Sequence, residues 1–167
     1  MQTKNETRLY NIIFPLWLLL FFPQLWIISL PANFLIDLAV FYFTIRYLKI
    51  DQRKALCKKS ILKIWLIGFA SDFVGGFFML FFNIFDVAFD FSAELMNAIC
   101  YNPFSRLDAF LWTCLCTAIS GALIYFLNKK LTLKHLNLTQ AQKHKIALSL
   151  AIFTAPYLFF LPTSLFW

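Results

Sequence analysis

The run ILKIWLIGFASDFVGGFFMLFFNI, from Ile61 to Ile84, decides the architecture. It is apolar for longer than the roughly 20 residues that a membrane-crossing helix needs, and only Lys63 and Asp72 interrupt it with charge. The rest of the chain has the same character. Of its 167 residues 61% are hydrophobic, 20% aromatic and 14% charged, and the mean hydropathy is +0.72. A soluble domain is about 45–50% apolar and about 25% charged. Phe occurs 22 times against 4 Gly and 6 Pro. These values exclude a soluble globular enzyme, a disordered chain and a disulfide-stapled secreted domain. The expected fold is all-α, a polytopic membrane helix bundle forming one domain over residues 1–167.

Working outward, four further runs qualify as spans: Tyr10 to Leu30, Ala32 to Tyr47, Ala109 to Leu127, and Ile146 to the C-terminus. Pro15 and Pro23 interrupt the first, and Pro31 stands where it meets the second. Five transmembrane helices fit this pattern, and so do four plus a re-entrant hairpin. Lys4 and Arg8 ahead of the first run imitate a signal peptide, but no small-x-small site follows and no cleavage is expected.

Charge sets the orientation. Two basic residues precede the first span. Seven lie from Arg46 to Lys63, five from Lys129 to Lys145, and only Arg106 stands elsewhere. The stretch from Phe85 to Asp108 carries Asp86, Asp90, Glu94 and Asp108 instead. The positive-inside rule then puts the basic clusters and the N-terminus in the cytoplasm, with the protein in a bacterial inner membrane. Thr139 with Gln142, and Ser105 with Asp108, read as capping boxes. Asp51 reads as a cap for an amphipathic lead-in, Gln52 to Ser60. Phe85, Phe89 and Phe91 ahead of Ser92–Cys100 suggest an interfacial helix and turn.

Asp72 is the most informative single residue. Eleven residues beyond Ile61, at about 1.5 Å each, it lies roughly 16 Å into a slab of about 30 Å. A carboxyl at that depth is costly and marks a functional-site hypothesis. Asp37 reads as shallower, about one and a half turns into the second span. Arg106 can pair with Asp37 or Asp108, but no Lys or Arg reaches the depth of Asp72. Asp72 is therefore expected to be neutral and hydrogen-bonded to hydroxyls such as Thr113 or Thr117, or to hold a proton or cation. Gly68, Asp72 and Gly76 share a helical face with Ser71 and Gly75 alongside. Thr113, Thr117 and Gly121 form a second small-residue stripe, and Ala147, Ala151 and Ala155 a third. Such stripes let helices approach closely in lipid and are compatible with a homo-oligomer.

Other chemistry is thin. Cys114 and Cys116 point about 200° apart on a helix and cannot share a metal, while His135 and His144 lie among lysines without metal-spaced ligands. No metal, cofactor or catalytic residue is expected, and no nucleophile elbow, phosphate loop, zinc motif or dinucleotide fingerprint occurs. An intramembrane enzyme working near Asp37, Asp72 and Asp108 is the least favoured class. Arg53, Lys54, Lys58, Lys59, Lys129, Lys130 and Lys134 face either anionic lipid headgroups or an acidic cytoplasmic protein partner. Direct nucleic-acid binding is not expected, because no aromatic-interleaved fold accompanies the charge.

The segments Tyr101-Asn102-Pro103-Phe104-Ser105 and Thr154-Ala155-Pro156-Tyr157-Leu158 resemble a widespread class of small, uncharacterised multi-pass bacterial membrane proteins, a class that brings no activity with it. Gly68 to Gly76, under a tenth of the chain, resembles the rod-shape-determining membrane subunits and the substrate-binding subunits of energy-coupling-factor transporters. By size and span count the chain is also similar to the membrane member of two-gene phage-defence systems such as Kiwa. Two functions are therefore expected. In the first, the protein is a membrane subunit that anchors or signals to a cytoplasmic partner, with envelope or phage-infection sensing as its purpose. In the second, it is a proton- or cation-coupled transporter or oligomeric channel using Asp72.

Overall fold

The structure, a computed structural model, describes residues 26–82, 84, 85 and 92–163. Among these the regular structure is helical, with no strands. Five α-helices are bounded within the described residues: α1 (Trp26–Tyr47), α2 (Arg53–Met79), α3 (Ala93–Tyr101), α4 (Leu107–Leu127) and α5 (Gln140–Phe153). Three stretches are long and apolar enough to cross a membrane: α1, α2, and α4 with the turns that continue it to His135. The expected first span lies outside the described residues up to position 25. Its last residues, Trp26–Leu30, belong to α1.

Helix α1 corrects the expected break at Pro31, which sits inside it. Proline lacks the N–H that would bond the Ile27 carbonyl, a loss that apolar helices tolerate when neighbours supply other partners. Here α2 packs against this turn. The Trp65 indole donates to the Leu30 carbonyl at 3.1 Å, and its ring meets Phe34 edge-on at 5.9 Å. After Tyr47 the chain reverses through Lys49, which is left-handed at φ 53°. The Ile50 amide then bonds back to the Ile45 carbonyl at 3.1 Å, and Ile50 is buried in the core. This closure meets the free carbonyls at the helix end.

Helix α2 begins at Arg53, so the expected lead-in and span are one helix. Its N-cap is Gln52 without a side-chain bond, and Asp51 does not cap it. At the other end Ser92 caps α3 by accepting from the Leu95 amide. The expected Ser105–Asp108 box does not form. Asn102 caps the turn Pro103–Ser105, the Ser105 hydroxyl donates to the Asn102 carbonyl, and Asp108 pairs with Arg106. The Thr139–Gln142 box forms as expected at the start of α5.

Helix α5 corrects the longest expectation. It ends at Phe153 rather than continuing to the C-terminus, and its 14 residues span only about 21 Å. Pro156 is the cause, since it disfavours helix at the residue before it and cannot donate to the ladder. The Thr154 amide and hydroxyl both donate to the Leu150 carbonyl, the hydroxyl at 2.8 Å, and the chain turns into a short 3-10 helix over Tyr157–Phe160.

Helices α1, α2, α4 and α5 form a ring in which each packs on two others. One apolar core, including Phe41, Ile64, Ile124 and Leu150, fills the end where α1 and α4 finish. A second, around Met79, Ile99, Cys116 and Phe159, fills the opposite end. Between α2 and α4 the contact is made by small residues. The Ser120 hydroxyl donates to the Ser71 carbonyl at 3.0 Å, and a Cβ on Gly75 would collide with the Ser120 oxygen. Between α4 and α5, a Cβ on Gly121 would lie 3.3 Å from the Ala151 carbonyl oxygen. Small side chains thus set the helix spacing.

Candidate functional site

Helix α1 is an apolar helix with a recurrent polar position: Ser29, Asn33 and Asp37 follow one another every four residues and so lie on one face. On α2 the same spacing aligns Gly68 with Asp72. The two faces meet. A Cβ on Gly68 would lie 3.1 Å from Asp37 Oδ2, so the missing side chain makes room for that carboxyl. Asp37 is 3% exposed and Asp72 is 6% exposed.

Because α1 begins by Trp26, Asp37 is deeper than expected. It stands eleven residues from Trp26, the first described residue, and ten from Tyr47, roughly 15 Å from that end at about 1.5 Å per residue. Both carboxyls border a cavity of about 380 Å³ whose far wall is the segment Phe153–Phe159. The early end of α5 supplies that wall, and it brings the Thr154 hydroxyl within hydrogen-bonding reach of Asp37. Two buried polar atoms on this cavity, Asp72 Oδ1 and Ser29 Oγ, have no hydrogen-bond partner among the described residues. Among the described residues no Lys, Arg or His lines it. Chemically the described lining is an apolar frame that holds two carboxyls together with the Ser29 hydroxyl and the Asn33 amide, and it contains no positive charge.

Thr113 and Thr117 are buried on α4, but their hydroxyls serve their own helix. Thr113 donates to the Ala109 carbonyl and Thr117 to the Thr113 carbonyl, each at 2.9 Å. Of the four intramembrane residues singled out in the sequence, the structure brings Asp37 and Asp72 together at the cavity, whose lining does not include the two threonines. Ser29, Asn33 and Thr154 were not foreseen. The first two were legible as the fourfold polar spacing that leads to Asp37.

The basic residues collect at one end. The π-helical turn Asn128–Thr132 that follows α4 packs on α2, and the loop through His135 lies beside the α1–α2 turn across a shallow groove. Lys54, Lys58, Lys59, Lys130 and Lys134 are exposed. Arg53 and Lys129 are half-buried: Arg53 Nε donates to the Ile50 carbonyl at 3.2 Å, and Lys129 Nζ to the Tyr125 hydroxyl at 2.9 Å. At the opposite end Arg106 bridges Asp108 at 2.7 Å and Glu94 at 3.0 Å, and it does not reach Asp37.

The described residues contain no cluster of three or more His, Cys, Asp or Glu arranged to hold a metal ion. Cys116 is buried and Cys114 half-buried, and the cysteines at positions 57, 114 and 116 are free thiols. No family model, no curated protein and no solved structure matches the chain.

Proposed function

We propose that the protein is a multi-pass inner-membrane protein with its basic end and N-terminus in the cytoplasm, and that it works by binding a cation or proton at Asp37 and Asp72. Transport, or conduction by an oligomer, is the activity that follows. One observation carries this reading. Two carboxyls from different helices converge on a cavity with no basic side chain among the described residues, and one of their oxygens lacks a partner there. Burying such groups in hydrocarbon is costly unless something positive pairs with them, so their retention points to a ligand. A helix broken where it lines a cavity, as α5 is at Pro156, is also the usual way irregular backbone is tolerated at membrane depth. The reading assigns the protein no catalytic residue and no resident metal.

The test is flux in proteoliposomes under imposed proton, sodium and potassium gradients. A gradient-driven flux in the wild type that Asp72→Asn abolishes supports the reading. Absence of flux under every gradient removes it.

A second reading is favoured by the convergence of the two basic clusters on one end. In it the protein anchors or signals to an acidic cytoplasmic protein, as in envelope or phage-infection sensing. Reversing the charges of Lys54, Lys58 and Lys59 then releases a co-purifying partner while membrane insertion persists. Unchanged co-purification defeats it.

A further inference from the structure

We infer that the cavity is a binding site for an amphiphilic organic ammonium, with its nitrogen between Asp37 and Asp72 and its apolar body against Phe153, Pro156 and Phe159. This rests on the cation reading above and narrows it to a chemical class.

The donor count comes first. An ammonium group presents up to three N–H donors and accepts nothing. The cavity offers the complement: the Asp37 carboxyl, the unpartnered Asp72 Oδ1 and the unpartnered Ser29 Oγ. A ligand donating to all three satisfies both buried orphans, whose desolvation is otherwise uncompensated. Its charge is the counter-charge that the described lining lacks, because no Lys, Arg or His among the described residues borders the cavity.

Size and lining select the rest of the ligand. At about 380 Å³ the space falls in the range of small-molecule sites, roughly 300–1,000 Å³, and far exceeds what a bare ion fills. Hard cations such as calcium take about six to eight oxygens in a close shell, whereas the side chains that line this cavity are mostly carbon, with Ile36, Phe153, Pro156, Leu158 and Phe159 among them. Phe153, Pro156 and Phe159 provide that carbon wall. The rim is apolar as well: Ile36 of α1 is 49% exposed, and Leu158 across from it is 43% exposed. For a protein in a bilayer such a rim faces acyl chains, from which an amphiphile enters more readily than a hydrated ion.

The experiment is equilibrium dialysis of the full chain in detergent micelles against radiolabelled phenethylammonium. Competition uses 2-phenylethanol, its neutral isostere, and sodium and calcium chlorides. The expected result is saturable binding of one amine per chain that the alcohol does not displace and that Asp72→Asn and Asp37→Asn each weaken at least tenfold. Gly68→Ala, whose new Cβ crowds Asp37 while every charge stays, is expected to weaken it several-fold. Equal displacement by the alcohol overturns the inference, because the cavity would then recognise only apolar bulk. Saturable sodium or calcium binding without amine binding overturns it too, yet leaves the cation reading standing. If neither amine nor inorganic cation binds, both fall.

Discussion

Substituting Gly75 by Ala tests the helix spacing on which the site depends. The new Cβ would overlap the Ser120 oxygen and would lie 3.1 Å from the Cys116 carbonyl and 3.2 Å from a ring carbon of Phe159. Ser120 can rotate away, but it then gives up its 3.0 Å bond to the Ser71 carbonyl. Bonds of this kind between membrane helices average about 0.6 kcal/mol. The carbonyl and the ring cannot rotate away, so α2 and α4 must separate slightly, and such overpacking costs about 1–3 kcal/mol. Alanine's better helix propensity offsets about 1 kcal/mol of this. The net expectation is a loss of about 1–2 kcal/mol. Ser120→Ala alone loses only its hydrogen bond. In the double variant the oxygen is already gone and that bond is lost once rather than twice, so the two changes couple favourably by about 0.5–1 kcal/mol. Reversible unfolding in mixed micelles, on the wild type, both single variants and the double, measures this. Strict additivity, or a Gly75→Ala variant as stable as the wild type, would show that α2 and α4 do not approach through Gly75 and Ser120.

Further outcomes follow from the two ends of the bundle. Thr139→Ala removes the hydroxyl that accepts from the Gln142 amide at 3.2 Å, and is expected to lower stability by about 1 kcal/mol in the same unfolding assay. Glu94→Ala breaks a bridge to Arg106 in which the glutamate is 85% exposed. The unfolding midpoint is expected to stay unchanged at both low and high salt, since exposed pairs contribute little.

The Gly- and Ser-rich face of α2 and the stripe on α4 were legible because small side chains at helical spacing let helices approach closely, whereas the third stripe is cut short, with Ala155 beyond the end of α5 at Phe153. The place of Asp72 was counted from Ile61, but α2 begins at Arg53, so Asp72 stands seven residues from the helix end at Met79. Asp37 was misplaced because Pro31 reads locally as a boundary, whereas the packing of Trp65 and Phe34 keeps the helix intact through it. The opposite error occurred at Pro156. An apolar run reads as one span, yet the proline ends the helix, and that ending creates the far wall of the cavity. Side-chain partners were the least legible. Thr113 and Thr117 have acceptors one turn back on their own helix, and Asp108 has Arg106 two residues away, so these local bonds formed in preference to distant ones.

The meeting of Asp37 with Asp72 is the centre of the account, and a charge swap tests it most directly. Asp72→Lys puts an ammonium beside the Asp37 carboxyl, in a cavity large enough to hold the longer side chain. Adding Asp37→Asn strands that ammonium among apolar neighbours, which costs roughly 3–5 kcal/mol for a buried charge deprived of its partner. The account predicts that Asp72→Lys alone folds with near wild-type stability in micelles, and that the Asp37→Asn/Asp72→Lys double variant is less stable by that amount. Equal stability of the two would contradict it, because Asp37 would then not be the neighbour of residue 72.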